Sequence, residues 1–185
     1  MSGHGAGHVD PANKKVALLI AVLALVLAFA ETLGKAAQTS ALAYHIESSN
    51  LWGFFQAKTI RQTTIRTAAE QMEAQHGPNP PEAVRKQIDA WKKTAERYQS
   101  EPETNEGRKE LMARAKEGEV KRDRFMAAYH NYEIASAAVQ IAIVLASAQI
   151  ITGVAALLWV AYALGAVGVV FSLIGLLWPT AVHIF

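Results

Sequence analysis

The chain has 185 residues, of which 51% are hydrophobic and 18% are charged, and its 18 Lys and Arg nearly balance its 16 Asp and Glu. This composition excludes a strongly basic nucleic-acid binder and a charge-rich disordered chain. The chain contains no cysteine, which excludes disulfides, thiol nucleophiles, Cys-ligated zinc and iron–sulfur clusters.

The charged residues are unevenly distributed along the chain. Residues 16–30 and 134–185 contain no Asp, Glu, Lys or Arg, whereas residues 31–133 hold nearly all of the charge. Long uncharged apolar runs are typical of helices that cross a bilayer. The sequence therefore predicts an integral membrane protein rather than a soluble globule.

The first apolar run predicts a flexible tail over 1–15 and a transmembrane helix over 16–34. Residues 16–30 alone would span about 22 Å, which is less than a hydrocarbon core of about 30 Å. The helix is therefore expected to continue through Glu31 to Gly34. We interpret it as an uncleaved signal anchor rather than a signal peptide, because no clear cleavage site follows it.

The second apolar run is too long for one span and predicts two. A helix from Trp159 to Trp178 would cover about 28 Å, close to the spacing of two interfacial aromatic belts. We therefore expect transmembrane helices over 133–152 and 159–178, separated by a turn over 153–158. Pro179 begins a C-terminal end over 179–185.

The region between spans one and two predicts a helical extramembrane domain over 35–132. Turn-forming residues at 77–81 and 101–107 divide it into helices over about 35–76, 82–100 and 108–133. The matching lengths of the outgoing and returning arms favour a tall, coiled-coil-like helical hairpin. The alternative is a break at Gly53, which would give a four-helix bundle. The predicted fold is all-α in either case.

Stripes of small residues run along the predicted spans and are expected to form a helix-packing interface. In lipid, helices associate through close backbone approach, which small side chains permit. The pattern leaves open whether the partner helix belongs to the same chain or to a second copy. The stripe residues are Ala17, Ala21, Ala24 and Ala28 in span one, Ala135, Ala138, Ala142 and Ala146 in span two, and Ala161, Gly165, Gly168, Ser172 and Gly175 in span three.

Three polar residues, Glu31, Gln140 and Gln149, are expected within or at the edge of the spans. Such groups are costly in hydrocarbon unless they are paired. For the glutamines we expect hydrogen bonds between helices. For Glu31 we expect an interfacial ion pair, with Lys35, Arg124 or His130 approaching the same membrane face. The alternative is a proton-linked or metal role shared with His130 and Glu133.

Several segments resemble domain-of-unknown-function family 4337, a family of bacterial membrane proteins. The most distinctive part is an ectodomain motif that includes Asn50, Leu51, Trp52, Phe54, Phe55 and Gln56. The segments are Lys15–Leu25, Ala36–Thr39, Ser49–Thr63 and Gln140–Ser147. The resemblance implies a three-span bacterial membrane protein and supplies no activity or catalytic residue. We expect this protein in the inner membrane.

The sequence carries no phosphate-binding loop, nucleophile elbow, zinc motif or dinucleotide fingerprint. We therefore expect a non-catalytic scaffold or accessory subunit, without cofactor, metal or nucleic acid, whose partners are the bilayer and either copies of itself or a larger membrane complex. The alternatives are a partner-dependent ligand sensor and a small ion or proton conduit that uses Glu31, Gln140 and Gln149. Lys14 and Lys15 favour a cytoplasmic N-terminus and a periplasmic helical domain.

Overall fold

The structure is a computed structural model that describes residues 11–182, and all regular secondary structure in this range is α-helical. It contains α1 (Pro11–His76), α2 (Glu82–Gln99), α3 (Arg108–Thr152) and α4 (Ala155–Leu177). By length and composition, α1, α3 and α4 are each apolar enough to cross a membrane. Residues 11–15 of the predicted tail belong to α1, whereas residues 1–10 and 183–185 lie outside the described range.

The turn between α3 and α4 is shorter than predicted. Only Gly153 and Val154 separate the two helices, so residues 155–158 belong to α4 rather than to the predicted turn over 153–158. Gly153 has a φ of 71°, and its N–H donates to the carbonyl of Gln149 at 2.8 Å. A glycine in this left-handed conformation ends a helix within one residue, which explains why no longer turn is needed.

The long helix α1 passes through Gly53 without a break. The four-helix alternative with a break at Gly53 therefore does not occur. A Cβ placed on Gly53 would meet no atom within 4 Å, so no tertiary contact at this position strains the helix. One glycine costs a helix only about 1 kcal/mol, which a helix of this length tolerates.

The chain divides into two compact units. The membrane unit comprises the described residues of Met1–Ala41 and Asp123–Phe185, and the polar unit comprises Leu42–Arg122. The polar unit is smaller than the predicted domain over 35–132. Ala37 packs against Ala128 and Tyr132, which places these flanking residues in the membrane unit.

The membrane unit is a packed set of three helices. Its main core contains residues from α1, α3 and α4, and leucine, isoleucine and valine side chains around it are partly buried. Many other apolar side chains of this unit are exposed; for example, Leu18 is 67% exposed and Val144 is 65% exposed. Apolar residues on the outside are expected where lipid is the solvent. The core residues are Val16, Leu23, Val139, Ala142, Ala146 and Ala161.

The polar unit packs one side of α1 against α2 and α3. Leu51 of α1 forms a core with Leu111 and Ala115 of α3, and Trp52 and Phe55 cover it. The side of α1 that faces α2 and α3 follows a spacing of four and three residues, the pattern of a coiled-coil seam. This inner seam is buried or half-buried throughout and consists of Tyr44, Ser48, Leu51, Phe55, Lys58, Gln62, Ile65, Ala69 and Met72.

Candidate functional site

Glycines of α4 set its contacts in the membrane unit. A Cβ on Gly165 would lie 2.8 Å from Cδ2 of Leu23, and a Cβ on Gly168 would collide with the side chain of Val139. A Cβ on Gly175 would lie 3.1 Å from the ring of Tyr132. Glycine at these positions therefore lets α4 approach both α1 and α3. Of the predicted span-three stripe, Ala161, Gly165, Gly168 and Gly175 are buried and Ser172 is half-buried.

The two other small-residue stripes differ from each other. The span-two alanines, Ala135, Ala138, Ala142 and Ala146, are buried, whereas the span-one alanines, Ala17, Ala21, Ala24 and Ala28, are exposed on the single chain. Instead of its alanines, α1 buries a face that repeats every seven residues, namely Val16, Leu23, Ala30 and Ala37. Among the residues that the structure describes, none buries the alanine face of span one, and its packing against a second chain stays a prediction.

A groove lies between α1 and α3 where their charge-free segments end. Glu31 is the first charged residue after the apolar run of α1, and Glu133 is the last one before the apolar run of α3. Both line the same groove, which has a volume of about 550 Å³. We call it the polar groove; it is lined by Ala30, Glu31, Gly34, Lys35, Gln38, Tyr129, Tyr132, Glu133, Ser136, Ala137 and Gln140.

The end of α4 lies near the same residues of α3. Asn131 Nδ2 donates to the carbonyl of Pro179 at 3.0 Å, and Gly175 lies beside Tyr132. Trp178 is 67% exposed, as expected for an aromatic side chain at a membrane interface. The end of α4 therefore lies at the same level of the membrane unit as the ends of the charge-free segments of α1 and α3.

The amide of Gln140 provides the partner of Glu31. Gln140 Nε2 donates to Glu31 Oε1 at 3.1 Å and to Ser136 Oγ at 3.2 Å. The prediction of an ion pair for Glu31 is wrong: across residues 11–182 its carboxylate has no cation within 4.0 Å. Gln140 reaches it from the facing helix, so a hydrogen bond from a neutral amide takes the place of the expected salt bridge.

The polar residues of span two are not brought together. Gln149 is half-buried, and its Oε1 has no hydrogen-bond partner within the described part of the chain. Nine residues of helix, about 14 Å, separate it from Gln140. Glu31 and Gln140 form a pair, and Gln149 lies apart from it.

The metal hypothesis for Glu31, His130 and Glu133 has no geometric support. His130 Nδ1 lies 3.2 Å from Glu133 Oε2, and Tyr129 Oη donates to Glu133 Oε1 at 2.6 Å. Glu31 accepts a hydrogen bond from Gln140 rather than grouping with these residues. Among residues 11–182, no group of three or more His, Asp or Glu side chains is placed to hold a metal ion.

In the polar unit, Arg108 joins three polar side chains. Its Nε donates to Thr59 Oγ1 at 2.8 Å, and its Nη1 donates to Gln62 Oε1 at 2.5 Å and to Gln99 Oε1 at 2.9 Å. The guanidinium also lies 5.1 Å from the ring centre of Phe55. Gln62 is buried and additionally donates to the carbonyl of Ala95 at 2.9 Å. Its amide is therefore satisfied on both sides, as a buried polar group requires.

Lys58 is a buried cation on the inner seam. Only 7% of the residue is exposed, and its Nζ lies 3.6 Å from Glu101 Oε2, 3.9 Å from Glu106 Oε2 and 5.3 Å from the centre of the Tyr98 ring. The carboxylates come from the turn between α2 and α3. A buried charge needs such partners, so Lys58 ties this turn to α1.

The ectodomain motif of α1 faces two ways. Leu51 is buried, and Trp52 and Phe55 are half-buried with their rings edge to face at 5.4 Å. Trp52 Nε1 donates to Glu119 Oε1 at 2.8 Å. The remaining motif residues, Asn50, Phe54 and Gln56, are exposed. Half of the motif thus builds the contact with α3, and the other half faces outward.

Sequence reasoning missed the role of Arg108, because its partners on α1 lie more than forty residues away in the chain. One sign of a polar contact was available in the sequence: Lys58 is the charged member of a heptad position of α1 that is otherwise occupied by Tyr44, Leu51, Ile65 and Met72. Asn131 was also missed, since its acceptor Pro179 is a backbone carbonyl.

A family model described as Domain of unknown function (DUF4337) matches residues 12–178. The chain belongs to this family. The match confirms the resemblance seen in the sequence and covers the apolar helices as well as the polar unit. The DUF4337 description assigns no activity. No match was found among curated proteins or among solved structures.

Proposed function

We propose that this protein is a non-catalytic membrane scaffold that assembles with copies of itself through the outward side of α1 in the polar unit. The observation that carries the proposal is a second, exposed seam on α1. It follows the same four-and-three spacing as the inner seam and is offset from it by two residues, about 200° around the helix. This outer seam consists of Ile46, Asn50, Gly53, Ala57, Ile60, Thr64, Thr67 and Gln71.

The outer seam has the character of an interface rather than of a solvated face. None of its residues is charged, although the same stretch of α1 carries Glu47, Arg61, Arg66 and Glu70 beside it. Ile46 is 52% exposed and Ile60 is 67% exposed, and Phe54, next to the seam, is 47% exposed. Exposed isoleucine and phenylalanine side chains along an uncharged helix face outside the apolar runs are typical of a contact surface.

A second copy of the chain suits this seam because like residues can face each other. In a parallel pair, each isoleucine would pack on its counterpart, and the Asn50 side chains could hydrogen-bond to each other. A single asparagine at such a position fixes the register of parallel coiled coils. Gly53 has free space where a Cβ would be, so two helices could approach closely there. Copies inserted in one membrane with the same topology favour this parallel arrangement.

The location we propose is the bacterial inner membrane, with the N-terminus in the cytoplasm and the polar unit in the periplasm. Lys14 and Lys15 precede the first apolar run, and basic residues beside a first span are retained on the cytoplasmic side. The family resemblance supports a bacterial source.

Cysteine crosslinking tests the proposal directly, because the chain contains no cysteine. In membranes at natural abundance, oxidation of Ile60→Cys should give a covalent dimer of the chain. Arg66→Cys, which is also exposed on α1 but lies outside the outer seam, should remain monomeric. Labelling of Arg66→Cys in intact cells by a maleimide that cannot cross membranes would support the periplasmic location.

Three results would contradict the proposal. Equal dimer yields for the two variants would show random collision, and absence of any product from Ile60→Cys would show that the seam is not covered. A crosslink from Ile60→Cys to a different protein would replace self-assembly with an accessory-subunit role. As a second readout, Ile60→Glu should convert the oligomer to monomer in native mass spectrometry while helical content is unchanged.

A further inference from the structure

We infer that the polar groove of the membrane unit binds the headgroup of an aminophospholipid, with the lipid ammonium on Glu31 and Glu133 and the lipid phosphate on Lys35. The groove lies where the charge-free segments of α1 and α3 both end. Headgroups occupy this level of a bilayer. The inference rests on the charges of the groove and is independent of the outer seam of the polar unit.

The charges of the groove are incompletely neutralised by the protein. Glu31 has only the neutral amide of Gln140 as a partner, and Lys35 forms no ion pair with any residue in the described range 11–182. Glu31 and Lys35 lie one helical turn apart, so that their side chains emerge on neighbouring parts of one face. A carboxylate and an ammonium that are both available at the membrane edge match a ligand that carries both charges.

The carboxylates are positioned before any ligand arrives. Gln140, itself bonded to Ser136, holds Glu31 Oε1. Tyr129 and His130 hold the two oxygens of Glu133. A carboxylate oxygen has more than one lone-pair site, so each can still accept a hydrogen bond from a primary ammonium group. Fixed acceptors reduce the ordering cost of binding.

The groove has room for a headgroup and has apolar surface on the membrane side. Its volume is about 550 Å³. Gly34 forms part of its wall, and a Cβ there would lie 3.2 Å from Cβ of Tyr132, so the glycine keeps α1 and α3 close. One turn further into the apolar segments, the exposed Ala28 lies on the helix face of Glu31, and Val144, which is 65% exposed, lies on that of Gln140. Acyl chains can pack on these side chains while the headgroup occupies the groove.

The chemistry predicts which lipids are preferred. Phosphatidylethanolamine carries a primary ammonium that donates hydrogen bonds to carboxylates, whereas the quaternary ammonium of phosphatidylcholine has no donor. Phosphatidylglycerol carries the phosphate without a cation and would place a negative headgroup beside Glu31 and Glu133. The groove should therefore retain phosphatidylethanolamine most strongly and phosphatidylglycerol least.

The test uses the full chain in nanodiscs that contain equal parts of the three lipids with identical acyl chains. After gentle release, native mass spectrometry counts the lipids retained on each protein. Charge-assisted hydrogen bonds to a carboxylate should enrich phosphatidylethanolamine over phosphatidylcholine about threefold to tenfold. Glu31→Gln should bring this ratio close to one. Glu47→Gln, which removes an exposed carboxylate of the polar unit, should leave the ratio unchanged.

Two further measurements complete the test. Lys35→Gln should lower the retention of phosphatidylethanolamine and phosphatidylcholine alike, because both carry the phosphate. Titration of soluble phosphoethanolamine onto detergent-purified protein tests whether the ligand is a soluble compound with the same ammonium and phosphate groups rather than a lipid. Binding of this soluble compound without any preference among the lipids would overturn the lipid assignment. A lipid ratio that is one in the unmodified chain, or unchanged in a folded Glu31→Gln variant, would overturn the site itself.

Discussion

In the membrane unit, α4 contacts its neighbours through glycines, whereas in the polar unit α1 contacts its neighbours through long polar side chains such as Lys58 and Gln62. The difference is the one expected if lipid surrounds the apolar helices and water surrounds the polar unit. Lipid provides little hydrophobic drive between helices, so contact there depends on close packing. Water provides that drive, and a helix pair in water can bury polar groups if every one of them is bonded.

The two units should also lose stability through different kinds of substitution. Packing at Gly168 depends on shape, because Val139 and the carbonyl of Ala135 fill the space where a side chain would be. The network around Arg108 depends on hydrogen bonds, because Thr59, Gln62 and Gln99 all accept from this one guanidinium. Added volume should therefore injure the membrane unit most, and a lost donor should injure the polar unit most.

The largest effect is expected from Gly168→Leu in the membrane unit. The new side chain would collide with Val139, and overpacking of this kind costs about 3 kcal/mol. Thermal unfolding in detergent, followed by circular dichroism, should show a clear loss of stability. Val167→Leu adds volume at the neighbouring exposed position and should change little. Equal stability of the two variants would show that α4 is not closely packed at Gly168.

A smaller effect is expected from Arg108→Met in the polar unit. The substitution keeps much of the side-chain volume but leaves the buried Gln62 carbonyl without its donor, which costs about 2 kcal/mol. Lys109→Met is the matched control because Lys109 is the exposed neighbour of Arg108. Urea unfolding of the full chain in detergent measures both variants. If Lys109→Met were as destabilising as Arg108→Met, the loss of stability could not be assigned to the guanidinium contacts of Arg108.

The smallest effect is expected from Glu110, which links the turn between α2 and α3. Its carboxylate accepts from Ser100 Oγ at 2.6 Å and from the backbone N–H of Glu101 at 3.1 Å. The hydrogen bond from Ser100 lowers the pKa of Glu110 below its ordinary value of 4.5. The stabilisation is therefore present above that ordinary value and is lost as the pH falls through the lowered pKa.

Hydrogen exchange of the turn residues measures this effect. Protection of the Glu101 amide should fall on acidification below about pH 4.5 in the unmodified chain. In Glu110→Gln, the corresponding change should be absent because the amide side chain does not titrate. A pH dependence that survives the substitution would assign the effect to another group.

Features that depend on local chemistry were predictable from the sequence. The prolines and glycines at 77–81 and 101–107 placed the helix ends within a residue or two of those observed. Charge-free runs identified the three apolar helices. In α1, Leu51, Ile65 and Met72 recur at one heptad position and lie on the inner seam. Lys58 interrupts that apolar position, and its partners Glu101 and Glu106 come from a distant turn.

Features that depend on which side of an apolar helix is buried were not predictable. The alanines of span one have the spacing of a packing face, but Val16 and Leu23 are buried instead. In a helix that is apolar on all sides, hydrophobic contrast does not identify the buried side. For the same reason the pairing of Glu31 with Gln140 required the structure, since it depends on the rotation of α1 against α3.

The two-residue turn at Gly153 and Val154 has a consequence for biogenesis. A turn of two residues leaves no soluble segment between the helices that a protease could cleave or that could accept an inserted reporter. It also has no room for basic residues that would hold the turn on one side of the membrane. During synthesis α3 and α4 should therefore enter the bilayer together as one helical hairpin, rather than as two segments that are threaded in turn. The orientation of both helices is then decided by the residues at their far ends.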